Sequence, residues 1–582
     1  MLLHHAVVPL GTFLVALVAT APLEAASLFG EGVHLRSCPR DLAVGEPSSC
    51  QVAERGPGTR WVLTQAPLGM VVQERSGHLH WTPTPDQVGQ HTVRLSRLVD
   101  GRSYDWKTTY TVSDAAVSDA AVLGGLHVRH GGDDAGSGTL DQPLATIGEA
   151  VDRALPGQTI YIRGGTYRNE GFGTPFEGRS ASHTRITTSG ALGAPITMRP
   201  WGNEYVRIES DVNGLALRNA AHWVIEDLEL RGTADSLELQ DALALWWENG
   251  PPARRITGRG VSMNASTNIT LRGLLVHEFP GAGVSNNNGA DVRLIDSIVT
   301  GNAEWSYSGT HGFANSKPES LDSGTRVEMR GNIVFGNQSS LISHVFSKGV
   351  VTMEVDEGNG LHMQNNAASY AGTWIARDNV MAFNGKAGLG LNTVLDAEIT
   401  DNAFYRNAQA VTGSAELSLQ SSERLVVERN LFHPASERLS VKFMGTDPAV
   451  LGANASVHAD ADVEGGLPAS VIDLPAVFTD PAAGDFSPAA GVPHGYGVDP
   501  GVLERMQADL AEYGLNVAPA DTVVDEDYVH RMRLVIFAAW PAPLAGDGIP
   551  DDLLLKVKES GHCYSYGERL LYPAVPEQGR DC

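Results

Sequence analysis

A short element recurs through the middle of the chain, and it constrains the fold more than any other feature. It reads RGLLVHEF from Arg272, IDSIVTGN from Ile295, RGNIVFGN from Arg330, RDNVMAFN from Arg377, TDNAFYRN from Thr400 and ERNLFHPA from Glu428. A second strand-like stretch precedes each copy: GVSM from Gly260, GAGVSN from Gly281, HGFANS from His311, NGLHMQ from Asn359, GLGLNT from Gly388 and AELSLQ from Ala415. The tightest copies are about 23–24 residues apart, which suits one coil of a parallel β-helix. Leucine-rich repeats share that period, but their fixed leucine ladder is missing and Asn is frequent at the turns. The pairs Asn332/Asn337, Asn379/Asn384 and Asn402/Asn407 read as architecture. Asn tolerates left-handed turns, and stacked Asn side chains can hydrogen-bond between coils.

Composition agrees with a long, turn-rich β protein. The 582 residues include 64 Gly, and only 19% are charged. With 42 Lys+Arg against 68 Asp+Glu the net charge is −26, which argues against nucleic acid as a partner. The four cysteines fall into two near pairs, Cys38/Cys50 and Cys563/Cys582, which predict two local disulfides in an oxidising compartment. Leu2 to Ala26 carries an apolar run followed by Ala25-Ala26 and reads as a secretory signal peptide. The expectation is therefore a secreted, periplasmic or cell-surface protein, monomeric, with no membrane-spanning segment after the leader.

Around the repeats, residues 28–113 show short alternating strands at Trp61–Leu63, Met70–Val72, Leu79–Trp81 and His91–Leu95. The stretch PLGMVVQERSGHLHWTPTPDQVGQHTVRL resembles cadherin-like or immunoglobulin-like sandwich modules of bacterial surface proteins. Residues 114–125 read as a linker, part of the repetitive VSDAAVSDAAV. Then comes GSGTLDQPLATIGEAVDRALPGQTIYIRGGTYR, Gly136 to Arg168. Ile147, Val151 and Ala154 have helical spacing, Pro156-Gly157 ends that helix, and a strand follows at Thr159–Ile162. This run resembles the entry to bacterial right-handed β-helix proteins of the pectate-lyase-like superfamily, in which an amphipathic helix caps the open end of the solenoid. The resemblance implies an all-β fold: a small β-sandwich followed by a right-handed parallel β-helix over residues 126–497. AVFTDPAAGDFSPAAGVPHGYG, Ala476 to Gly497, resembles the exit segment of such proteins. The extension 498–582 carries no assignment. Its GDGIPDD, Gly546 to Asp552, is a lone calcium-loop-like stretch.

Three long insertions, 233–259, 303–324 and 338–359, each follow the same point of the repeat. Equivalent positions stack in a solenoid, so the insertions predict one wall on one side. A wall beside a flat sheet makes a groove for a chain-like ligand. Alternation in the second strand places Val261/Met263, Phe313, Leu361/Met363, Leu389/Leu391 and Leu417/Leu419 inward. The outward column then reads Ser262, Gly283, Ala314, His362, Gly390, Ser418. His362 is the one large member. Aligning the coils brings His311 beside Asn359 and stacks Thr310, Gly358 and Lys386. His311, Asp356, Glu357, Asn359, His362 and Lys386 should therefore crowd one end of the groove floor.

That crowd fits two reactions on an extracellular polysaccharide. In a lyase, Lys386 or His362, with His311 beside them, would take the proton α to a uronate carboxylate, while Asp356 and Glu357 hold calcium. In a glycoside hydrolase, two carboxylates among Asp322, Asp356 and Glu357 would act as acid and base. Asn359, Gln364, Asn392 and Lys317 are candidates for holding substrate. The segment from Val355 to Gly360 resembles a Gly-Asn-Gly signature of bacterial β-helix proteins, with Glu357 intervening between the acid and the glycine. A non-catalytic glycan-binding or adhesion protein on the same scaffold is the alternative of a different class. A polysaccharide lyase acting by β-elimination is the reading the resemblance favours.

Overall fold

The computed structural model describes residues 38–539, with interruptions at 39, 45–47, 52–59, 73–77, 82, 100–101, 114–124, 175–179, 246–253, 308, 321, 346–349, 352–353, 365–369, 412 and 459–465. Beyond 539 it describes the short strands Leu554–Leu555, Tyr564–Tyr566 and Arg569–Leu571. The leader, the Gly546–Asp552 stretch and the Cys563/Cys582 pair lie outside the described residues.

Three parallel sheets wind into a right-handed β-helix, of 11, 9 and 10 strands. The 11-stranded sheet contains the recurring element, from Leu275–His277 to Leu431–His433 and on to Val471–Asp473. The 9-stranded sheet contains the stretch that precedes it, through Val261–Asn264, Val284–Asn287, Phe313–Ser316, Leu361–Gln364, Leu389–Asn392 and Ala415–Gln420. The repeat thus shows two strands per coil where the fold has three. The third, such as Thr373–Arg377 or Ala397–Thr400, runs into the recurring element through a single left-handed corner. Those corners are Gly273, Asp296, Gly331, Asp378, Asp401 and Arg429, all with φ between 52° and 69°. A one-residue bend leaves no loop composition to mark a boundary.

Alternation fills the interior. Val261, Phe313, Leu361, Met363, Leu389 and Leu417 have no measurable exposure, and one core runs from Val128 to Val471. The helix Ile147–Arg153 closes the first coil. Thr146 caps it by accepting from the Glu149 N–H, and Ile147, Ala150 and Val151 plug the end of the core.

The Asn pairs form two buried ladders. In one, Asn332, Asn379, Asn402, Asn430 and Asn454 pass side-chain amide hydrogen bonds of 2.9–3.0 Å from coil to coil. In the other, Asn302, Asn337, Asn384 and Asn407 do the same and end on the carboxyl of Glu416. Each Asn also accepts a backbone N–H from the coil before and donates to a strand carbonyl, so the inner corners of the coils that carry the ladders are satisfied.

The N-terminal module is a four-stranded and a three-stranded sheet around Trp61, Trp81, Val93, Leu95 and Tyr110. The Cys38–Cys50 disulfide closes one edge with a Cα separation of 5.1 Å. The strand Arg102–Ser113 extends into the stretch that composition assigns partly to a linker.

The C-terminal extension covers one face of the solenoid. The helix Pro500–Tyr513 lays Leu503, Met506 and Leu510 on the outer side of the 11-stranded sheet, against Ile298, Ile333 and Val380. The next helix, Glu526–Ala539, joins the three insertions in one apolar cluster. Ala234, Leu237, Leu243 and Ile256 come from the first insertion, Trp305 from the second, Leu341, Ile342 and Val355 from the third, and Met532 from the helix. The second insertion is shorter than the sequence suggests, because the strand Phe313–Ser316 lies inside 303–324. Among the described residues no helix is long and apolar enough to cross a membrane.

Candidate active site

With the 11-stranded sheet covered and the outer side of the 10-stranded sheet lined by ion-paired residues such as Arg272, Glu226, Arg293 and Glu328, the outer face of the 9-stranded sheet holds the groove. Its register gives two outward columns. The first is Ala216, Ser262, Ser285, Ala314, His362, Gly390, Ser418 and Lys442; the second is Arg218, Asn264, Asn287, Ser316, Gln364, Asn392 and Gln420. Ser285 holds the position that the glycine alignment gave to Gly283. That coil carries an extra Gly-Ala before its strand, so aligning on the first glycine shifts it by two residues, which preserves facing but misplaces the member. Gly283 instead packs against the neighbouring backbone, where a methyl would meet the Gly312 carbonyl oxygen at 2.8 Å.

His362 projects outward, and around it the expected cluster assembles. His311 stacks obliquely on it with ring centroids 4.4 Å apart. The backbone N–H and side-chain amide of Asn359 lie 3.2 Å from His311 Nδ1. A backbone N–H can only donate, so Nδ1 is the acceptor and the proton of the neutral ring sits on Nε2. That atom lies 3.2 Å from a Glu357 carboxylate oxygen, whose other oxygen accepts the Gly309 N–H at 3.0 Å. Asn359 is itself fixed by the Ala387 N–H at 3.1 Å. Lys386 donates to the Asp356 carboxylate at 2.8 Å and to its carbonyl oxygen at 2.9 Å.

Burial sets the protonation states. It pushes Glu357 up to about 7, against the pull of Lys386. Burial, then the Lys386 charge, drives His362 down to about 4. His311 falls well below the usual imidazole value, first from burial and then from His362, Lys386 and Arg259. At neutral pH both rings are therefore uncharged. His362 Nδ1 is buried without a hydrogen-bond partner. Gly390 keeps the space beside it open, since a methyl there would lie 3.1 Å from that nitrogen and 3.2 Å from Asn359 Oδ1.

A cavity of about 400 Å³ opens over this floor, lined by Ser262, Ser285, Ala314, His311, His362 and Gln364 together with Arg218 and Arg259. The sequence reading missed the two arginines. Arg259 stands just before its strand, in the column Arg259–Ala282–His311–Asn359, and only that register shows it pointing along the same side as His311. Of the substrate-binding candidates, Gln364 lines the cavity and Asn392 continues its column on the next coil. Lys317 stands exposed in the left-handed turn after Ser316, outside the cluster.

The calcium expectation meets a poor donor set. Asp356 is occupied by Lys386 and Glu357 by His311 and Gly309. Among the described residues no group of three or more His, Cys, Asp or Glu is placed to hold a metal ion. Calcium takes six to eight oxygens, so Asp356 and Glu357 with these partners do not make its cage.

A right-handed parallel β-helix with an amide-lined groove and a His–His–Glu–Lys cluster is the class that fold and site define. The chain belongs to the Pel9A-like, right handed beta helix family, whose model matches residues 126–416. Pectate lyase PEL9 of Emericella nidulans is 30% identical over 217 residues, 34% of this chain and 45% of that protein, so the chain spans less than half the length of this curated relative. Among solved structures, pectate lyase Pel9A is 14% identical with a TM-score of 0.37, over 63% of this chain and 90% of its own. A rhamnogalacturonan lyase is 13% identical with a TM-score of 0.30, over 57% of this chain and 73% of its own.

Proposed function

We propose that the protein is a secreted polysaccharide lyase that cleaves a uronate-containing polymer by β-elimination in the groove of the 9-stranded sheet. The observation that carries this reading is the neutral His362, which lines the cavity beside a hydrogen-bonded support of His311, Glu357 and Asn359. His362 rather than Lys386 is the base, because the Lys386 ammonium is tied to two oxygens of Asp356. The similarity to a pectate lyase supports the reaction class.

In the reaction the imidazole takes the proton from the carbon α to the carboxylate. The electron pair forms the new carbon–carbon double bond as the bond from the β-carbon to the glycosidic oxygen breaks, and that oxygen leaves with a proton from water or a neighbouring acid. His311, Glu357 and Asn359 are positioning residues that fix the plane of His362.

A screen of uronate-containing and neutral polysaccharides tests this. The expected result is an ultraviolet-absorbing unsaturated uronate product from at least one acidic polymer. New reducing ends without that absorbance would make the protein a hydrolase, and retention on a polymer without cleavage would make it a binding protein.

A further inference from the structure

We infer that the second outward column of the 9-stranded sheet is a row of subsites for uncharged sugars, so that the polymer is a heteropolysaccharide in which each uronate is spaced by neutral sugars. Placing one uronate at His362 rests on the function proposed above; the neutral subsites on either side of it do not.

From Asn264 the second column runs through Asn287, Ser316, Gln364, Asn392 and Gln420. Beside it the first column is Ser, Ala or Gly at each of these coils except that of His362. Consecutive coils from Asn264 to Gln420 therefore present no charged side chain on either column; Arg218 precedes them and Lys442 follows them. Asn264 is exposed and the other five members are half-buried. Among the described residues no hydrogen bond engages the side-chain amides of Asn264, Asn287 and Gln420. The cavity of about 400 Å³ lies over the first four members, Asn264, Asn287, Ser316 and Gln364.

A primary amide offers two N–H donors and an acceptor oxygen, which suits the hydroxyls of an uncharged sugar. Coils advance by about 4.8 Å, close to the length of one sugar in an extended chain. A polymer lying along the solenoid axis thus meets one amide or hydroxyl per sugar. A homopolymer of uronate would instead set a carboxylate beside successive amides, with no cation in the columns. The cations at the groove's margins are engaged: Arg218 with the Ser262 carbonyl at 2.8 Å, Arg259 with the Ser285 hydroxyl at 2.9 Å, Lys386 with the Asp356 carboxylate at 2.8 Å, and Lys442 with the Gly413 carbonyl. Lys317 stands in the turn beyond Ser316, past the second column. A carboxylate that loses hydration without a compensating charge is costly to seat, and the chain's net charge of −26 opposes a dense polyanion at long range. Widely spaced uronates avoid both costs: one carboxylate reaches the His362 coil, and neutral sugars fill the coils on either side.

Calorimetric titration tests this, in the full chain carrying His362→Ala so that turnover does not intrude. Two sparsely acidic hexasaccharides, one of alternating rhamnose and galacturonate and one of xylose with a single glucuronate branch, are compared at one ionic strength with hexagalacturonate and hexamannuronate. At least one sparsely acidic hexamer should bind more tightly than both homouronates, by about ten-fold or more. Adding Asn287→Ala and Asn392→Ala together should weaken that binding by about three-fold or more at an unchanged melting temperature. Asn392→Lys should tighten homouronate binding and narrow the preference, and it carries the test should the double alanine variant unfold. A homouronate that binds as tightly as the sparsely acidic hexamers overturns the inference. So does the failure of every hexamer to bind, or a preference that neither amide variant moves. The two readings separate cleanly. The expected binding pattern with no unsaturated product from the corresponding polymer sinks the lyase reading and leaves the neutral subsites standing, whereas unsaturated product from a more tightly bound homouronate does the reverse.

Discussion

Glu416 shows how a single buried group ties the solenoid to pH. It is 1% exposed and ends the second Asn ladder, with both carboxyl oxygens turned to Asn407. Burial raises its pKa from the usual 4.5 to about 8. Between those values the folded chain keeps a proton that the unfolded chain has released, so this group's contribution to stability falls as pH rises through that window. Glu304 and Glu357, both raised to about 7, act with the same sign. Below about pH 6.5 the buried neutral His183, His311 and His362 act with the opposite sign. The melting temperature should therefore fall from about pH 6.5 to about pH 8. Glu416→Gln should make that slope shallower while losing one of the two hydrogen bonds from Asn407, since an amide has a single acceptor oxygen. A variant as steep as the parent would mean Glu416 is ionised in the fold. Sequence could rank few of these residues. It singled out His362 because its column is otherwise small, but Glu416 looks like any strand carboxylate until the register places it under Asn407. Arg218 and Arg259 were equally hidden, since nothing in their neighbours marks which way an arginine at a strand end turns.

At the scale of elements, periodicity revealed what repeats and missed what bends without a loop. The recurring octapeptide and its preceding strand were legible because Asn, Gly and apolar alternation recur at fixed offsets. The third strand of each coil was not, because one left-handed residue such as Asp401 joins it to the next. The ladders that hold these corners make a sharp expectation. Asn379 accepts from the backbone and side chain of Asn332 and donates to Met329 and Asn402. Asn379→Ala strands a buried N–H and two other polar groups with no room for replacement partners, and should cost roughly 2–4 kcal/mol in denaturant unfolding. A loss under about 1 kcal/mol would show that the ladder fills space and contributes little else. The wall was anticipated from the common insertion point. Its partner, the helix Glu526–Ala539, was not, because the sequence after Gly497 carries no repeat to align.

Taken whole, the molecule leaves one sheet face for a long ligand. The C-terminal extension covers the 11-stranded sheet, charged residues pair across the 10-stranded sheet, and the 9-stranded sheet carries the groove, the arginines and the cluster. His362 joins floor and chemistry, and it belongs to no core layer. The most direct measurement is release of unsaturated product from an acidic polymer that the parent cleaves, by the parent and by His362→Ala, alongside their melting temperatures. The account predicts turnover lowered by at least about 100-fold, melting temperatures that agree closely, and a parent kcat/KM whose acid limb lies near pH 4, where His362 takes up its proton. Full activity in His362→Ala, with the fold intact, would contradict it.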